Sequence, residues 1–192
     1  RRAVLWRTLA RIMPVVFEPC LSTSEFCGEA LLVFGGAESA NVGICQNGSP
    51  RMFFPEPGDA VVNSGFGPIE FGLNTLIHDC FRGRRLLDPS VQAVSALKPR
   101  AGDHLLATKG EQPLWIHRPR LDSAVDVVAL PPPELHDDTF LHEHFHEDAF
   151  FPLIPLLHFL RSATCKWGWT PPPPRASFMF DGPNLHRTGY GH

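Results

Sequence analysis

The stretch Asp59-Ala-Val-Val-Asn63-Ser-Gly-Phe-Gly-Pro68-Ile-Glu-Phe-Gly-Leu-Asn-Thr-Leu-Ile-His-Asp-Cys-Phe81 decides the fold class. Its first five residues hold a short apolar run, as a buried strand does, and Ser64-Gly65-Phe66-Gly67 reads as the turn that follows it. Apolar residues then stand at 69, 73, 76, 77 and 80, the spacing of one helix face. Pro68 suits the first turn of such a helix and Gly83 suits its end. The spacing therefore predicts a helix over 69–81 and a strand–loop–helix unit belonging to an α/β layer.

The flanking sequence repeats this grammar. Glu29-Ala-Leu-Leu-Val-Phe34 is an apolar run ending in Gly35-Gly36, again a strand entering a turn. Residues 3–12 fit a short helix stopped by Pro14. Further strands are expected at 91–97, 104–107, 114–117 and 125–130, with a hairpin about Lys109-Gly110. From Asp138 the pattern turns helical, clearest over 151–163, where Pro152 and Pro155 confine the regular part to the later turns. The four prolines 171–174 favour a stiff extended linker and cannot lie inside a helix or central strand. They divide the chain into an α/β domain over 1–170, a linker, and a new segment over 175–192 that opens with the apolar strand Ala176-Ser-Phe-Met-Phe180.

Composition narrows the function classes. Hydrophobic residues make up 43% of the 192, enough for a core, while 20 prolines and 16 glycines point to a turn-rich protein rather than a helical bundle. A net charge of −3 with no basic stripe excludes a nucleic-acid footprint. The longest apolar stretch, 150–160, contains prolines and a histidine and is too short to span a bilayer. Five cysteines without a CxxC pair fit free thiols in a reducing, cytoplasmic setting, with Cys27 and Cys80 as small buried hydrophobes. The missing initiator Met and the ending on Gly191-His192 lead to the expectation that the chain is a fragment. Nothing in the sequence fixes an oligomeric state.

Three segments have residues suited to chemistry. His142-Glu143-His144-Phe145-His146 satisfies H-E-x-x-H. On a helix His142 and His146 share a face and could hold zinc, with Glu143 activating its water. The competing reading is a solvated acidic and histidine-rich helix end. Asn63-Ser-Gly-Phe-Gly67, between the expected strand and helix, could offer backbone N–H groups to an anion, although it lacks the lysine of a phosphate loop. The tryptophans 6, 115, 167 and 169 could stack on sugars or pack in the core.

The third segment is Arg175-Ala-Ser-Phe-Met-Phe-Asp-Gly-Pro-Asn-Leu-His186, which resembles the opening motif of the polysaccharide deacetylase family. There an apolar strand at the rim of a (β/α) barrel ends in a Phe-Asp-Asp type motif. The first Asp is the catalytic base and the second binds a divalent metal together with two later histidines. The resemblance implies an α/β protein: an N-terminal mixed α/β domain followed by the first strand of a truncated (β/α) barrel. It implies hydrolysis of the acyl amide or ester of a carbohydrate, with Asp181 as base, Asn184 and His186 near the substrate, and zinc as the metal of the complete protein. Gly182 departs from the family pattern, because it has no side chain where the metal-binding Asp belongs. The resemblance covers about a dozen residues and implies little activity for this chain alone. A non-catalytic carbohydrate-binding or interaction domain is the other expectation.

Overall fold

Ile69–Phe71 is a strand (β4), not the first turn of a helix. In the computed structural model, which describes residues 2–19, 28–35, 48–56, 61–121, 123–137 and 140–165, the predicted helix over 69–81 is replaced by this strand and a series of turns. The cause is local. Gly72 donates to the Leu106 carbonyl, and a Cβ on Gly72 would lie 2.8 Å from the Leu105 carbonyl oxygen. The backbone of 69–72 is thus held against a neighbouring strand, and long-range pairing overrides a helical spacing. Asn74 then caps a turn by accepting from the Leu76 N–H, and the carbonyl of His78 takes the N–H groups of Phe81 and Arg82.

The remaining elements are helix α1 (Arg2–Ile12) and strands β1 (Leu31–Phe34), β2 (Arg51–Phe54), β3 (Val61–Asn63), β5 (Arg85–Leu86), β6 (Ala93–Ser95), β7 (His104–Lys109), β8 (Gln112–Pro119) and β9 (Ala124–Val128). A 3-10 turn, Leu141–His144, precedes helix α2 (Ile154–Thr164). Seven strands form one mixed sheet in the order β1-β2-β9-β8-β7-β4-β5, and β3 pairs with β6 in a small second sheet. The neighbours β1, β2 and β9 run parallel, and the rest of the large sheet is antiparallel. The protein is therefore mixed α/β and dominated by its sheet.

The hairpin expected about Lys109-Gly110 is β7–β8. Its two-residue loop begins with Gly110 at φ 57°, a conformation that a residue with a Cβ reaches only under strain. The strands expected near 31–34, 61–63, 93–95, 114–117 and 125–128 are also present.

Alternation along the central strands places side chains on two faces. Met52, Phe54, Trp115 and Val128 join one apolar cluster, while Phe53, Ile116, Val125 and Val127 form another. Burial on both faces explains why β2 is buried at all four positions. Leu5, Leu9 and Met13 of the α1 segment, four residues apart, enter the first cluster, as do Ile154, Leu156, Phe159 and Leu160 of α2. Pro155 lies in the first turn of α2, where its missing N–H costs nothing. Among the described residues no helix is long and apolar enough to cross a membrane. The linker at 171–174 and the segment 175–192 lie outside the described residues.

Candidate functional site

The loop 63–67 joins β3 to β4, so no helix N-terminus stands behind it, contrary to the sequence expectation. One of its backbone donors is also committed, since the Gly65 N–H binds the Asn63 side-chain oxygen at 2.8 Å. The loop nonetheless forms one wall of a cleft of about 290 Å³. Asn63, Gly65, Phe66 and Gly67 supply that wall, and Leu87, Asp88, Pro89 and Gln92 from the segment after β5 supply the other. Lys109, from the end of β7, also lines it.

Each lining group has a structural reason for its place. Gly65 and Gly67 hold φ of 73° and 138°, and a Cβ on either would meet nothing within 4 Å, so both face open space. That leaves the Phe66 ring fully exposed at the rim. Asp88 is 1% exposed, and its carboxylate accepts from four donors. The Ser90 N–H and hydroxyl take one oxygen at 2.9 and 2.5 Å, and the N–H groups of Phe150 and Phe151 take the other at 2.9 and 2.7 Å. The Lys109 ammonium donates to the Val91 carbonyl, which also accepts from the Ser64 hydroxyl at 2.9 Å. Pairing of Lys109 with Ile69 across β7 and β4 brings the lysine beside the loop. The sequence shows no lysine near the loop; the fold delivers one from about forty residues away. The available signal was the strand alternation of β7, and a lysine before a Gly in a hairpin reads instead as solvated turn.

The H-E-x-x-H segment does not form the helix that zinc binding at this spacing requires. Residues 141–144 are a 3-10 turn, and His146 lies beyond it in a one-residue bridge with Ala149. His142 and His146 are therefore not on one helical face. The Glu143 carboxylate accepts from the Phe140 N–H at 3.2 Å, the His142 ring stacks on Phe140, and His146 Nδ1 accepts from the Asp148 N–H. Among the described residues no three His, Cys, Asp or Glu side chains are grouped to hold a metal. Asp181, Asn184 and His186 lie outside the described residues, as do Trp167, Trp169 and Cys27. Trp115 is fully buried in the core, so it cannot stack on a ligand. Cys80 is exposed rather than buried, a free thiol 2.9 Å from His78 Nδ1.

A polar row that the sequence did not reveal crosses one face of the large sheet. His104, His117 and Asp126 stand opposite one another on β7, β8 and β9. His117 Nδ1 lies 2.7 Å from Asp126 Oδ1, and because a carboxylate only accepts, this nitrogen carries the proton. The His104 and His117 rings stack with centroids 6.2 Å apart. Nearby, His158 of α2 meets the Trp115 ring edge-on at 5.1 Å. Burial holds His158 below the usual imidazole range, against the opposing pull of Asp126.

In comparisons with known proteins, the chain matches no family model, no curated protein and no solved structure.

Proposed function

We propose that this chain is a fragment of a metal-dependent carbohydrate deacetylase, and that its described domain holds the sugar. The observation that carries the reading is the cleft, whose lining includes the exposed Phe66 and the amide residues Asn63 and Gln92. A sugar ring has an apolar face of C–H groups and a rim of hydroxyls. An aromatic ring with a few placed polar groups complements both.

The hydrolytic part of the reading rests on the resemblance of residues 175–186 to the polysaccharide deacetylases. Asp181 is then the carboxylate that removes a proton from the attacking water, at the end of the first strand of a (β/α) barrel, with Asn184 and His186 beside the acylated sugar. The metal of that chemistry, zinc or another divalent ion, does not fit the residues at hand. Gly182 has no donor, and the described residues contribute no ligand group. The chain by itself accordingly binds the sugar without turning it over.

Calorimetric titration of the 192-residue chain with short N-acetylglucosamine oligomers tests this. Saturable binding is expected, weakened about tenfold in Phe66→Ala, equivalent to about 1.4 kcal/mol, and unchanged in Asp181→Ala. No acetate should be released. Absence of binding, or binding that ignores the loss of the Phe66 ring, rejects the sugar-holding role.

A further inference from the structure

The cleft has a feature that a neutral sugar leaves unused. Lys109 is 4% exposed, and among the described residues the Val91 carbonyl takes one of its three ammonium N–H groups. The other charged residue lining the cleft is Asp88. Among the described residues these two form no ion pair. The Asp88 carboxylate is instead satisfied on both oxygens, by Ser90 on one and by the Phe150 and Phe151 N–H groups on the other. A buried ammonium without a facing anion is costly, because its hydration is lost and no opposite charge replaces it.

We infer that the cleft contains an oxyanion subsite with Lys109 as its cation, suited to a carboxylate or phosphate carried by the ligand. Two observations besides the lysine fit such a group. The Val91 carbonyl is held by the Ser64 hydroxyl as well, so it anchors the ammonium in one place beside the cleft. At Gly65 and Gly67 the loop has no side chain, and a Cβ there would meet nothing within 4 Å, so an anion can approach the backbone closely at these two positions. Taken together with the sugar-holding role proposed above, on which this clause rests, the ligand is an acidic or phosphorylated saccharide.

Inorganic phosphate is the probe, titrated at constant ionic strength into the isotope-labelled chain while the backbone amide signals of residues 63–67 are followed. A saturable shift of those signals is expected, with affinity reduced at least about tenfold in Lys109→Met, the loss of a charge-assisted contact. Gln92→Glu places a carboxylate in the same cleft from an exposed position that the core does not depend on, and it should weaken phosphate by a similar factor. This second variant keeps the test decisive if Lys109→Met fails to fold. The absence of a saturable shift in the parent chain overturns the subsite, as does equal phosphate affinity in a folded variant. A neutral N-acetylglucosamine oligomer in a parallel titration separates the two readings. Phosphate binding without sugar binding upholds the subsite and removes the sugar, and the reverse result removes the subsite alone.

Discussion

The carboxylate of Asp88 accepts from four donors, two in its own turn and two more than sixty residues further along at Phe150 and Phe151. It ties one wall of the cleft to the turn that leads into α2. An amide in its place has one oxygen and one nitrogen, and the nitrogen cannot accept. Asp88→Asn therefore leaves two donors facing an NH₂ group in a place that is 1% exposed. The expected cost is about 3 kcal/mol, from two orphaned donors at roughly 1–2 kcal/mol each. Urea unfolding measures it, and a loss under about 1 kcal/mol would mean that the four contacts do not organise the cleft wall. Asp88 was not legible as a site residue in the sequence. Asp-Pro-Ser reads as an ordinary turn, and its partners at 150–151 come from the far side of the chain.

At the scale of elements, local pattern succeeded where an element is settled by its own residues. Helix α1, the β7–β8 hairpin and the Pro-initiated helix α2 all stand near their expected positions for that reason. The pattern failed where a distant strand decides. The helical spacing across 69–81 is real, yet Ile69, Glu70 and Phe71 pair with Lys109, Thr108 and Ala107, and Gly72 permits the contact. Strand β2 was missed because four residues between prolines carry no period; β1 and β9 pair with its backbone on either side, and apolar clusters on both faces of the sheet cover its side chains. The H-E-x-x-H spacing likewise presupposed an α-helix that a 3-10 turn replaces. Gly72→Ala tests the first of these accounts. Its Cβ would meet a backbone oxygen at 2.8 Å, which cannot swing aside as a side-chain tip would. A loss of about 2 kcal/mol is expected, the scale of overpacking in a rigid site. Thermal unfolding that matches the parent protein would show that β4 is not held closely to β7.

For the whole molecule, the cleft exists because two sheets meet. The loop leaving the small β3–β6 sheet passes the end of β7, and neither partner is identifiable as a site without the other. The same long-range assembly half-buries two titratable groups, His158 and Asp103, whose shifted protonation contributes to the acid response of the fold. His158 has its folded pKa lowered from 6.5, first by burial, with His78 and Arg161 adding to it and Asp126 and a hydrogen bond to the Leu76 backbone opposing. The unfolded chain therefore binds this proton more readily than the folded one. Stability is highest above pH 6.5 and declines as the pH falls through that value toward the lowered folded pKa. Asp103 responds in a more acidic window. Its carboxylate receives two hydrogen bonds from Arg118 at 2.9 and 2.8 Å, and this guanidinium holds its folded pKa below 3.8. Its contribution is present above pH 3.8 and disappears as the pH falls through the lowered folded pKa. Urea midpoints measured from about pH 8 down to about pH 2 should thus fall in two stages, one for the imidazole and one for the carboxylate. His158→Gln should flatten the first stage and leave the second, and Arg118→Met should flatten the second and leave the first. A parent profile that stays level between about pH 7 and 5 contradicts the burial assigned to His158. A second stage that survives Arg118→Met contradicts the pairing of Asp103, because the guanidinium is the largest cause of its lowered pKa.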